Sequence, residues 1–182
     1  MTSELPAESG PTVVWTGLIK TRNKKKVMES VPFPPGLTVM KDFAFTKKDP
    51  AISDRERAKF DSSICGNWLK GLAENPAMVA QLKAAGLNDA DIEDMKAREV
   101  PAGYQVHHKL PLDDGGTNDP SNFVIIKNDP YHIAITALHN SQCRGIPVGT
   151  TKVLDWPVPD GIIYPPTPVT PAAPPAPGTP PA

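Results

Sequence analysis

Cysteine is scarce in this chain: Cys65 and Cys143 are the only two. They form no CxxC pair, so neither a zinc knuckle nor a disulfide scaffold is expected, and a reduced, cytosolic history is the simpler assumption. Long apolar runs are missing too, and none approaches the roughly 20 residues of a membrane-spanning helix. Met1 to Gly10 is polar and carries Glu4 and Glu8. It lacks the basic and apolar regions of a signal peptide, so export by the general secretory route is not expected. No sign of charge dominates. A net charge of −1 gives no global basic field, and attraction to a polyanion has to come from a local patch. Lys20, Arg22, Lys24, Lys25 and Lys26 form one such cluster, followed by Lys41, Lys47 and Lys48; a solvated loop is the plain alternative. No internal repeat is visible.

What is present begins with length. The 182 residues suffice for one domain with a real core, plus tails. Half of Pro165 to Ala182 is proline, which fixes φ and removes donors, so 165–182 is expected to be an extended, disordered tail. Thr12 to Ile19 is a short β-like run, and Val31-Pro32-Phe33-Pro34-Pro35-Gly36 is expected to interrupt regular structure. Residues 1–40 therefore read as an arm or adaptor region. From Ser53 to Arg98 the signals are helical. Ser53 with Glu56 has the spacing of a capping box. Phe60, Ile64, Trp68 and Leu72 fall near one helical face, as core positions do. Asn75-Pro76 opens a second helix closed by Gly86, and Asn88 caps a third over Asp89 to Arg98.

Chemistry concentrates further on. Tyr104 to His108 reads as a strand, Leu110 to Pro120 as a long turn with Gly115-Gly116, and Phe123 to Ile126 as a second strand. Asp129-Pro130 restarts a helix bearing His132 and His139. Lys152 to Trp156 and Ile162 to Tyr164 are candidate edge strands. Neutral imidazole ligates Zn²⁺, Ni²⁺ and similar ions. Alternation along a strand sends His107 and His108 to opposite faces, so one can coordinate an ion while the other faces a substrate groove as a base. His107 with His132 would make a site of two protein ligands with positions left open. The Asn122 amide can donate and accept at once, and so can pin the loop that carries His108.

Val106-His107-His108-Lys109-Leu110-Pro111-Leu112, Gly115-Gly116, Asn122-Phe123 and His132 together resemble an HNH endonuclease of the ββα-metal superfamily, over about residues 98–140. The spacing from His108 to Asn122 to His132 is close to that of the nuclease colicins and of the HNH modules that end bacterial polymorphic toxins and type VI secretion effectors. The resemblance implies an α+β fold: a helical block, then a ββα-metal motif within a nuclease domain over 41–164, then the proline-rich tail. It implies that His108 is the general base for in-line attack on a phosphodiester, that His107 and His132 hold one divalent ion (Zn, Mg, Mn or Ni) against the scissile phosphate, and that Asn122 orients His108 through the loop. It implies DNA as substrate, cut by shape and backbone contact. Arg98, Lys109 and Lys127 are the nearest candidates for phosphate contact.

Two departures stand out. Colicin-type motifs carry another His four residues after the helix His, where this chain has Thr136, and a Glu two residues before the first His, where it has Gln105. His139, two turns beyond His132, is expected to lie too far for the same ion and to serve as a surface residue favourable to the helix dipole. Asp113 and Asp114 are expected to serve turn geometry, Cys65 to be a buried thiol without chemistry, and Trp15, Trp68 and Trp156 to be core or interface residues. The leading expectation is an antibacterial DNase toxin, made in a bacterial cytoplasm, secreted without a signal peptide, loaded onto a secretion apparatus and acting in a target-cell cytoplasm. A cognate immunity protein would neutralise it in the producer, and no membrane insertion is expected. The alternatives are a phage or housekeeping HNH endonuclease for restriction, homing or packaging, and a non-catalytic module stabilised by the ion.

Overall fold

The computed structural model describes residues 13–20 and 26–168. Met1–Gly10, Arg22, Lys24, Lys25 and the tail from 169 onward lie outside the described residues, as do the side chains of Trp15, Lys20 and Lys26. Among the described residues the fold is mixed α and β, with small sheets rather than one large one.

Strands β1 (Val13–Lys20) and β2 (Lys26–Phe33) pair antiparallel. β3 (Leu37–Thr46) pairs antiparallel with β6 (Thr151–Pro159), more than a hundred residues away, with a register shift between Met40 and Phe43. The third sheet has the order β4 (Tyr104–His108), β5 (Phe123–Lys127), β7 (Ile163–Tyr164), antiparallel and then parallel. One expectation is corrected here. Val31-Pro32-Phe33 does not interrupt structure but forms the end of β2, where Pro32 pairs with Val14.

The helical block is α1 (Pro50–Lys59), a wide π-type turn at Phe60–Ile64, α2 (Cys65–Ala73), α3 (Pro76–Ala84) and α4 (Asp89–Lys96). Asp49, not Ser53, caps α1: its carboxylate accepts from the Ala51 N–H at 2.8 Å, and Pro50 supplies the first helical residue. Ser53 is buried one turn in and donates to the Pro50 carbonyl. Asn75 and Asn88 cap α3 and α4 as expected, Asn88 in a reciprocal capping box with Asp91. Helix α5 (Ile133–Cys143) follows a second wide turn at Asn128–His132. No helix among the described residues is long and apolar enough to cross a membrane.

β5 is the hinge of the packing because both its faces are buried. Ile125 packs into the cluster of Leu69, Leu72, Leu82, Ile92 and Met95 from the helical block. Val124 and Ile126, on the other face, pack with Val31, Phe33, Tyr131, Ala134, Ile135 and Tyr164. Leu69, Leu82 and Met95 are fully buried, and truncating any of them to Ala is expected to cost about 2–5 kcal/mol. A third cluster joins Phe45, Cys143 and Trp156 across β3, α5 and β6. β4 is thereby held as an edge strand between the helical block and α5.

Candidate functional site

β4 ends in the two adjacent histidines, and its pairing with β5 decides where each points. His108 lies opposite Phe123, and His107 opposite Val124. Cross-strand partners share a face and neighbours alternate. His108 therefore turns toward the helical block and His107 toward α5.

His108 sits in an aromatic box. Its ring centre is 4.4 Å from Phe60 and 5.1 Å from Phe123. The wide turn that begins at Phe60 delivers that ring to the site, a role such helical irregularities often have. His108 Nε2 is 3.0 Å from Asn118 Oδ1, and the Asn118 Nδ2 group donates to the Glu56 carbonyl at 2.8 Å. With its amide N–H spent on Glu56, Asn118 offers His108 an acceptor, so Nε2 carries the proton and Nδ1 keeps its lone pair. Burial lowers the pKa of His108; the field of Arg57 adds to this, while Asn118, Asp61 and Glu56 oppose it. The ring is thus held neutral and able to accept a proton.

Asn122 works on the loop. Its Oδ1 accepts from the Leu110 N–H at 2.8 Å, and its Nδ2 donates to the carbonyls of Leu110 and Thr117, both at 2.9 Å. The backbone N–H of Lys109 donates to the Asn122 carbonyl at 2.8 Å. These bonds span the turn after β4. Gly116 is required by close approach: a Cβ there would lie 1.9 Å from the Leu110 carbonyl oxygen. Gly115 adopts φ 95°, which favours glycine. Asp114 is buried and ion-paired with Lys47 at 3.1 Å, tying the turn to the end of β3.

His107 has different surroundings. Its ring centre is 5.3 Å from His132 and 5.5 Å from His139. Its Nε2 is buried without a hydrogen-bond partner, as is His139 Nε2. His132 Nδ1 is 3.2 Å from Asn128 Oδ1, and its Nε2 is 3.5 Å from the Thr136 hydroxyl. Burial, then repulsion from the other histidines and Arg57, holds the His107 pKa well below its ordinary value. Burial also lowers that of His132, and takes His139 down to about 3. Neutral imidazole is the form that binds a metal ion; His107, whose Nε2 has no partner, and His132, whose Nε2 meets only the Thr136 hydroxyl at 3.5 Å, fit such a group. Among the described residues no three His, Cys, Asp or Glu side chains are already gathered into a cage.

His139 corrects an expectation. It is 6% exposed rather than a surface residue, because Trp156 of β6 stacks on it at 4.0 Å and 9°. Cys65, expected to be buried, is half-buried, with its thiol pushed up to about 11 by burial.

Two adjoining cavities, of about 390 and 330 Å³, meet at Arg57, His107, Pro111 and His132. The first also exposes His108, and the second Thr136, His139 and Arg144. Arg98, Lys109 and Lys127 line neither cavity. Arg98 sits past α4 at φ 71°, and Lys127 pairs with Tyr104 at the far end of the strand pair. The cation between the cavities is Arg57, an exposed residue of α1 that sequence reasoning missed, since nothing local separates it from Arg55. Asn118 was missed as well; an Asn in a Gly-rich turn reads as a turn former.

No family model and no solved structure matches this chain. It is 42% identical over 148 residues to an uncharacterized protein, YhhZ, of Escherichia coli (strain K12), covering 81% of this chain and 34% of that protein. The chain thus spans about a third of the length of the curated relative it matches.

Proposed function

We propose that this chain is a metal-dependent HNH endonuclease that hydrolyses DNA, acting as an antibacterial effector. The observation that carries the reading is the division of the histidine pair. A neutral His108, tethered through Nε2 to Asn118, lines the same cavity as His107 and His132, and the His107 Nε2 there is buried without a hydrogen-bond partner. A divalent ion there would polarise the phosphate and neutralise charge on the leaving oxygen. His108 Nδ1 takes a proton from the attacking water. Asn118 holds the imidazole in the tautomer this needs, and Asn122 fixes the loop behind it. Arg57, at the junction of the two cavities, is placed to bind a non-bridging phosphate oxygen. The nearly neutral net charge leaves substrate attraction to such local cations.

As an effector the chain would be made in the bacterial cytoplasm, travel by a secretion apparatus, act in a competitor's cytoplasm and be neutralised at home by an immunity protein. The test is expression in a susceptible bacterium, with purified protein assayed on plasmid DNA and on RNA. Toxicity and DNA cleavage that both disappear in His108→Ala support the reading. Wild-type protein that neither cuts DNA nor harms cells more than His108→Ala sinks it. Cleavage at a strongly preferred site without toxicity would instead favour a housekeeping or phage endonuclease.

A further inference from the structure

His139 Nε2 is buried and unpartnered, as is His107 Nε2 beside it. Leaving a buried polar nitrogen unpaired is costly, and a stacked imidazole could be replaced by an apolar ring unless the nitrogen has work to do. The ring is also firmly held. It stacks on Trp156 at 4.0 Å, and the Trp156 indole donates to the Lys109 carbonyl at 3.0 Å, just beyond the histidine pair. His132 and His139 are seven residues apart, about 10.5 Å along the helix and nearly in line. His107, from the facing strand, approaches both, with ring centres 5.3 and 5.5 Å away. The His132 Nε2 is 3.5 Å from the Thr136 hydroxyl, one turn on. Imidazoles sharing one ion at about 2.0–2.1 Å, at tetrahedral angles, have ring centres roughly 5 Å apart.

We propose that His139 is the third protein ligand of the metal site, joining His107 and His132 in place of the His that the motif lacks at Thr136. The inference rests on the metal-nuclease reading. Other donors lining this cavity are less suited: Asp114 is engaged by Lys47, and the Cys143 thiol is kept protonated by burial and by Asp114. His107 lies between the other two rings, and three protein ligands would leave a fourth position open for substrate.

Metal-free protein, prepared with a chelator, is titrated with Zn²⁺ by calorimetry and with Co²⁺ by visible absorption. The variants are His139→Phe, which keeps a ring on Trp156 but has no donor, His107→Ala, and Lys127→Ala as a control away from both cavities. The expected result is a Zn²⁺ affinity weakened about tenfold or more in His139→Phe, with loss of the intense tetrahedral Co²⁺ bands, and no change in Lys127→Ala. In wild-type protein, the ¹⁵N resonance of His139 Nε2 should shift on adding Zn²⁺, a readout that needs no variant to fold. Wild-type affinity in His139→Phe and an unmoved His139 resonance, with binding lost in His107→Ala, would overturn the third ligand and leave the two-ligand site standing. No Zn²⁺ or Co²⁺ binding by the wild type would overturn the metal reading as well.

Discussion

The two faces of β4 carry the same side chain one residue apart and give it opposite surroundings. On the face of the helical block, His108 is enclosed by Phe60 and Phe123 and has one nitrogen committed to Asn118. On the face of α5, His107 meets other histidines and its Nε2 has no partner. The chemistry follows from the neighbours rather than from the residue. A tethered, neutral imidazole that keeps one lone pair and lines a cavity is suited to accept a proton. An imidazole grouped with others of its kind is suited to an ion.

The sharpest way to break the comparison is to remove the base. His108→Ala should lower the rate of plasmid cleavage by about 10²–10⁴-fold, while Zn²⁺ affinity by calorimetry stays within about twofold of wild type. A large loss of metal binding would mean that both faces serve the ion.

The α5 face predicts a pH effect on stability. In chelator-treated protein the folded-state pKa of His139 lies near 3, below its unfolded value of about 6.5. The unfolded chain therefore binds more protons between those values. This contribution to stability is full above about pH 6.5 and falls as pH drops toward 3, by roughly 1.4 kcal/mol per pH unit for this residue alone. Urea melts from pH 7 to pH 4 should show at least that slope, because burial lowers His107, His108 and His132 as well, and His139→Phe should make it shallower.

Asn118→Ala should lower cleavage by about 10–100-fold through misplacement of His108 and move the acid limb of the rate profile downward, because the Asn118 contact supports the protonated ring. An unchanged profile with reduced stability would make Asn118 merely structural. Lys127→Ala should have the least effect, within about twofold on cleavage, as expected for an exposed charge away from the site; Arg57→Gln, measured alongside, should show the larger loss.

Much of this was legible in the sequence where structure is local. Asn75 and Asn88 announce their helices because an N-cap is satisfied within three residues, and β4 and the core of β5 follow from apolar, β-branched runs between turns. The division of the histidine pair follows from strand alternation alone. What escaped depended on distant partners. Nothing near residue 139 shows that Trp156 will cover it, and nothing near Pro32 shows that Val14 will pair with it. Asp49 lost out to Ser53 because the Ser–Glu spacing imitates a capping box, whereas the Asp-Pro pair just upstream does the work. Asn118 and Arg57 became visible only when the turn and α1 were brought together at the cavity.

The most direct test of the account is to measure Zn²⁺ affinity and DNA cleavage side by side in His107→Ala and His108→Ala. The account predicts that His107→Ala loses both, whereas His108→Ala keeps the ion and loses cleavage. Equal loss of metal in the two variants, or cleavage that survives in His108→Ala, would contradict it.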